Sequence, residues 1–98
     1  MGKGERLPIN VEQSYKVPLQ VSVRRERFGG LVYRYDNRAL LFLHSRPLVD
    51  FLEKLDGKRP LGEALDEFAV ERGLGDGERR ALENALGQLE GKGIIREL

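Results

Sequence analysis

The hydrophobic period of this chain changes once, at about Ser45, and that change limits the possible folds more than any other feature. Upstream, apolar residues recur at every second position, as on a strand with one buried face. Downstream they recur every third or fourth position, as along one side of a helix. In the first part, "LQVSVRRE" puts Leu19, Val21 and Val23 on one face and Gln20, Ser22 and Arg24 on the other. Gly29-Gly30 in "RFGG" reads as a turn. "LVYRY" is a second strand, rich in β-branched and aromatic residues. Asp36-Asn37 then makes a hairpin turn, since both residues tolerate left-handed backbone. Ala39 to Leu43, "ALLFL", is the third strand. The reading is a three-stranded meander with the first and third strands at its edges.

Past the switch, Ser45 can cap a helix and Pro47 suits its first turn. Leu48, Phe51, Leu52 and Leu55 form one apolar stripe, and Asp56-Gly57 ends it with Gly57 expected at C′. Pro60 precedes a second stripe of Leu61, Ala64, Leu65, Phe68 and Ala69. "GLGDG" breaks that helix, and Asp76 is the expected cap of a third. There Leu82, Ala85, Leu86 and Leu89 align, and Gly91 and Gly93 stop the run. "IIREL" closes the chain as an extended tail that can pack Ile94 or Ile95 on the core. Strands followed by helices indicate α+β rather than a parallel α/β sheet. The plan is winged helix-turn-helix-like: a three-stranded antiparallel sheet followed by a three-helix bundle. Ninety-eight residues suffice for one domain. Residues 1–18, with Gly2, Gly4, Pro8 and no sustained period, read as a flexible N-terminal arm with a short apolar patch, "LPINV". Residues 19–98 read as the folded domain.

The third strand departs from its own half of the chain. A strand with one wet face should alternate, yet five apolar residues run together from Ala39 to Leu43. Something has to cover the second face or the open edge. Three arrangements satisfy this. The strand can be central, the arm at 7–11 can lie on it, or an extended peptide can add to it as a further strand. Natural edges are usually blunted by charge or proline, and here only Arg38 and His44 flank the run. Such an edge also tends to find a partner, so in the free protein it is expected to be capped by its own arm or by another chain, as a weak homodimer or an exchanged segment.

Composition bears mainly on chemistry and partners. The chain has no cysteine and one histidine, His44, which is a poor basis for a metal site. Ser45 is better explained as a cap than as a nucleophile. "RFGG" lacks the strand–GxGxxG–helix setting of a dinucleotide loop. The carboxylates at 63, 66, 67 and 71 form a solvated helix face. With no catalytic constellation and no cofactor site, the expectation is that the protein is not an enzyme. No run is long enough to span a membrane, and the N-terminus lacks the apolar middle of a signal peptide, so a cytoplasmic location is expected. Residues 1–49 carry nine Lys/Arg against four Asp/Glu, and residues 50–98 eight against twelve. The acidic half holds the helix that would have to read DNA, and Glu78, Glu83 and Glu90 there oppose a phosphate backbone. A small winged-helix DNA-binding regulator is therefore the alternative, and no nucleic acid partner is expected.

The stretch "VSVRRERFGGLVYRYDNRALLFLHSRPLVDFLEKLDG" resembles the peptide chaperones of mycofactocin biosynthesis. The shared elements are an Arg-rich first strand, "RERFGGLVY", "NRALLFL" and then Ser-Arg-Pro-Leu. "LDGKRPLGEALDEF" and "LGQLEGKGII" resemble the wider group that includes the chaperone of pyrroloquinoline quinone biosynthesis, although Leu43-His44-Ser45 stands where that group often has Leu-Asn. The likeness covers roughly residues 19–96. It implies a precursor-peptide recognition domain for ribosomally made, modified peptides. The precursor's leader would add as a strand beside the third strand and against the third helix. The chaperone would then present the peptide to a radical S-adenosylmethionine enzyme, which holds the cofactor and cluster. Carried onto this chain, the strand side of the groove is Ala39, Leu40, Leu41, Phe42 and Leu43. The helix side is drawn from Arg79, Leu82, Glu83, Leu86 and Glu90. Which leucines point into the groove depends on register, since a slip of one residue inverts a strand.

Overall fold

In the computed structural model, which describes residues 9–98, the change of period at Ser45 is a change of layer. The elements in chain order are β1 (Tyr15–Lys16), β2 (Val21–Glu26), β3 (Gly29–Arg34), β4 (Leu40–Leu43), α1 (Arg46–Lys54), α2 (Leu61–Arg72), α3 (Asp76–Gly91) and β5 (Arg96–Glu97). The fold is α+β, a three-stranded antiparallel sheet of order β2-β3-β4 followed by three helices. β4 lies at the sheet edge, as expected. No helix among the described residues is long and apolar enough to cross a membrane.

The hairpins differ from the expectation in a way that the packing explains. β2 and β3 are joined through Arg27-Phe28, and Gly29-Gly30 opens β3 opposite Glu26 and Arg25 instead of making the turn. Gly29 has φ +144, and a Cβ there would overlap the Leu43 carbonyl oxygen. A Cβ on Gly30 would come 2.5 Å from Cγ2 of Val49. The glycines let the end of β4 and the α1 helix approach a bare backbone. Leu19, expected in the first strand, precedes β2 and is 94% exposed. In the β3–β4 turn the left-handed residue is Arg38, with φ 59, one position beyond Asp36-Asn37. Asn37 still shapes the turn, its Oδ1 accepting a 3.0 Å bond from the Ala39 N–H.

The helices follow their stripes. Ser45 caps α1, its Oγ accepting from the Leu48 N–H at 3.2 Å. Leu48, Val49, Phe51 and Leu52 of that helix are buried, and Leu55 is its C-cap, so Gly57 falls one residue past the expected C′ position. Leu61, Leu65, Phe68 and Ala69 bury one side of α2, which ends at Gly73 in the left-handed conformation. α3 is capped by Gly75 instead of Asp76. The Gly75 N–H donates to Glu78 Oε1 at 2.9 Å, and Asp76 becomes the first helical residue, where its charge suits the helix N-terminus. Leu82, Leu86 and Leu89 of α3 are buried, and both Ile94 and Ile95 reach the core.

The segment read as part of a loose arm is tied in over its described portion, 9–18. Ile9 and Tyr15 are core residues, and β1 pairs antiparallel with β5. The Pro60 cap of α2 makes no side-chain bond. The carbonyls of Gln13 and Val11 instead accept from the N–H groups of Leu61 and Gly62, both at 2.8 Å. These are donors that the first turn of a helix leaves open. Residues 7 and 8 of the proposed edge cover lie outside the described residues. Residues 9–11 lie against α2 and α3, where Val11 meets Gly62 and Ile9 meets Gly87.

Asp50 on α1 joins three layers. It accepts from Arg25 of β2 and from Arg72 of α2, the latter at 2.6 Å. Chiefly the Arg72 bond, and then Arg25, hold its carboxyl below the ordinary value, against the opposing effect of partial burial. A carboxyl depressed in the folded state contributes stability above its unfolded pKa and loses it as pH falls through the folded one. The thermal midpoint is therefore expected to fall on acidification below pH about 4. Asp50→Asn should lower the midpoint at neutral pH and flatten that acid limb. Calorimetric scans of both proteins across pH 2–7 check this, and parallel pH profiles would contradict it.

Candidate functional site

The open edge of β4 has a definite polarity. The Arg34 N–H donates to the Ala39 carbonyl at 3.0 Å. These residues stand directly opposite, continuing the register Tyr33↔Leu40 and Val32↔Leu41. A bond between opposed residues marks a hydrogen-bonded pair, and such pairs alternate along an antiparallel ladder. Val32↔Leu41 and Gly30↔Leu43 are then hydrogen-bonded pairs too. On the other side of β3, the Tyr35 N–H donates to the Gln20 carbonyl at 2.8 Å, which assigns the alternate residues of β3 to β2. Ala39, Leu41 and Leu43 therefore turn their backbone groups inward to β3. Leu40 and Phe42 turn theirs to the outer edge, which no described strand pairs.

Side chains divide on a different axis. Leu41 and Leu43 pack on the core, whereas Leu40 and Phe42 are 55% and 54% exposed on the outer face. The run of five apolar residues thus has one buried set and one open set. Around the open set, Phe28 lies 5.8 Å from Phe42 and 5.3 Å from His44, centroid to centroid, and Tyr33 stacks edgewise on Tyr35 at 5.1 Å.

Helix α3 runs antiparallel to β4, with an apolar cleft at each end of the space between them. The first cleft, about 320 Å³, is bounded by Ser45, Pro47 and Leu48 at the start of α1, Leu74 before α3, and Glu78, Ala81, Leu82 and Ala85 on α3. The second, about 330 Å³, lies over Val32 and Arg34 of β3, Asn37, and Ala39 to Leu41, and is closed by Lys92 and Ile94 beyond α3. Charge differs between the ends. Glu78 stands at the first. At the second, Arg34 is bonded to both carboxylate oxygens of Asp36 and to the Lys92 carbonyl at 2.8 Å. Lys92 adds positive charge there.

The residues singled out on the strand all belong to this region: Leu40 to Leu43 form β4, and Ala39 closes the turn before it. The helix residues separate. Leu82 lines the first cleft. Leu86 is fully buried in the core. Arg79 faces α2, bonding Asp66 at 2.8 Å, Glu83 at 3.2 Å and the Gly62 carbonyl at 3.4 Å, so Arg79 and Glu83 serve the α2–α3 contact. Glu90 lies toward Tyr15. Burial pushes the Tyr15 hydroxyl up, a hydrogen bond from the Asn10 N–H partly offsets this, and Glu90 and Glu97 add to the rise. The α3 surface facing the first cleft is Glu78, Ala81 and Ala85 together with Leu82, and Lys92 past the end of the helix closes the second. Glu78, Ala81 and Ala85 recur at helical spacing beside the leucine stripe, and the short side chains of the two alanines create the room.

The model of the peptide chaperone MftB family matches residues 14–96, a span that begins within the segment leading into β1. Among curated proteins, the peptide chaperone MftB of Mycolicibacterium smegmatis is 31% identical over 85 residues, covering 87% of this chain and 79% of its own length. No solved structure matches the chain.

Proposed function

Because the chain belongs to the peptide chaperone MftB family, we propose that it is a non-catalytic carrier for a ribosomally made precursor in mycofactocin biosynthesis. It takes up the leader by β-strand addition at β4 and presents the rest of the peptide to a radical S-adenosylmethionine enzyme in the cytoplasm. The observation that carries this reading is the backbone of Leu40 and Phe42, unpaired among the described residues, on an edge without proline, with α3 standing across a groove from it. An added strand would find alternating donors and acceptors on β4 and apolar walls on α3, the usual requirements of strand addition. The reacting groups then belong to the enzyme, and this chain supplies position.

The test is calorimetry with a synthetic leader from a mycofactocin precursor peptide. Binding of one leader per chain, with new amide protection at residues 40 and 42 in hydrogen exchange, is the expected result. Absence of binding, or protection confined to another element, would overturn it. In a gel-shift assay at physiological salt the same protein should leave duplex DNA unshifted. A sequence-selective shift would favour the regulator alternative.

A further inference from the structure

We infer that the groove reads the leader through two apolar anchors four residues apart, one in each cleft, with an acidic residue beside the anchor at the Lys92 end. This rests on strand addition at β4 as proposed above. In an added strand, alternate side chains point to the same face as Leu41 and Leu43, and so toward α3. The second cleft reaches the level of Leu41, and the first begins at Ser45. The peptide residues level with Leu41 and Ser45 are four apart, about 13 Å along a strand at roughly 3.3 Å per residue. That spacing is the same for a parallel or an antiparallel peptide. The inward residue between them sits level with Leu43, where neither cleft is lined. A small side chain suffices there.

Charge decides which anchor enters which cleft. Arg34 is already answered by Asp36, so the net positive charge at the second cleft comes from Lys92. Glu78 marks the first cleft as the unfavourable end for a carboxylate. A leader with its acidic residue beside the wrong anchor would meet Glu78, and such charge placement sets register more than raw affinity.

The probe is the same synthetic leader, replaced by alanine at each position in turn and titrated by fluorescence anisotropy. Two positions four apart should each lose affinity by about tenfold or more. Ala81→Trp, on the exposed side of α3, should fill the first cleft, weaken the parent leader, and remove the further penalty from alanine at one anchor only. Ala85→Trp serves as the second filling variant. Lys92→Glu should weaken binding, and a leader whose acidic residue is changed to Lys should recover it. The inference is overturned if the sensitive positions have another spacing, or if both Trp variants bind the whole alanine series as the parent does. Failure of strand addition itself reads out separately, as unchanged binding to the Phe42→Pro chain.

Discussion

Proline at position 42 is expected to abolish leader binding while the protein stays folded, and proline at 41 to unfold it. The two positions differ in where their N–H groups point. That of Phe42 faces the outer edge, so its loss breaks no bond among the described residues, and proline is tolerated on edge strands in that setting. Its ring is half exposed, so the core loses little. An incoming strand, however, loses a donor and meets the pyrrolidine ring in its path. Loss of one hydrogen bond in a desolvated ladder costs about 1–3 kcal/mol, or roughly five- to 150-fold in affinity, before the steric effect. Leu41 bonds inward to Val32 and packs on the core, so Leu41→Pro should cost about 3 kcal/mol or more in stability. Leu40→Pro should behave as Phe42→Pro. Urea denaturation reports the fold and calorimetry the binding. A well-folded Phe42→Pro protein with normal leader affinity would remove β4 as the docking edge.

The second large effect is expected at the glycine pair. Gly29→Ala places a Cβ against the Leu43 carbonyl oxygen at a backbone angle that side chains rarely adopt. The clash is with backbone, which cannot rotate away. A loss of about 3 kcal/mol or more is expected, the sum of local strain and displacement of the β3–β4 ladder. Gly30→Ala meets a side chain instead, Cγ2 of Val49, and should cost about 1–3 kcal/mol as an overpacked core does. Val49→Ala removes the obstructing atoms, so the Gly30→Ala, Val49→Ala double variant should be more stable than the sum of the two single losses implies. Chemical denaturation of the four proteins measures this. Strict additivity would mean that α1 does not rest on the bare backbone of Gly30.

The elements that sequence reading recovered are those with a sustained period. The stripes of α1, α2 and α3 and the Ser45 cap carry their own local signals, because burial repeats and capping follows from one side chain. β1 and β5 are two residues each, too short to show a period, and they exist because distant backbone groups meet. Gly29-Gly30 illustrates a different failure. A glycine pair has the same sequence signature whether it turns the chain or admits a neighbour, and only the position of Val49 and Leu43 decides. Leu19 fits the alternation of β2 and still lies outside it, since Pro18 begins a turn whose carbonyl bonds the Val21 N–H. At the proposed groove, the sequence marks the strand as an apolar run, but which of its residues face the edge depends on register and is not legible there. The helix side was sought among leucines and charges, and leucine is what the core takes first. The accessible face of α3 rests on Ala81 and Ala85, residues whose usefulness lies in what they leave empty.

The half-exposed face formed by Phe28, Tyr35, Leu40 and Phe42 changes in kind once a strand is added beside it. Every second side chain of the peptide would then lie flush with these rings, giving a mosaic that neither molecule displays alone. A third molecule fitted to the mosaic would hold the pair more tightly than either member. Thermodynamic reciprocity then requires it to tighten the grip of chaperone on peptide by the same factor. Modest two-body affinity is sufficient for such a carrier: an empty chaperone and a stray peptide would each be passed over, and the loaded pair selected.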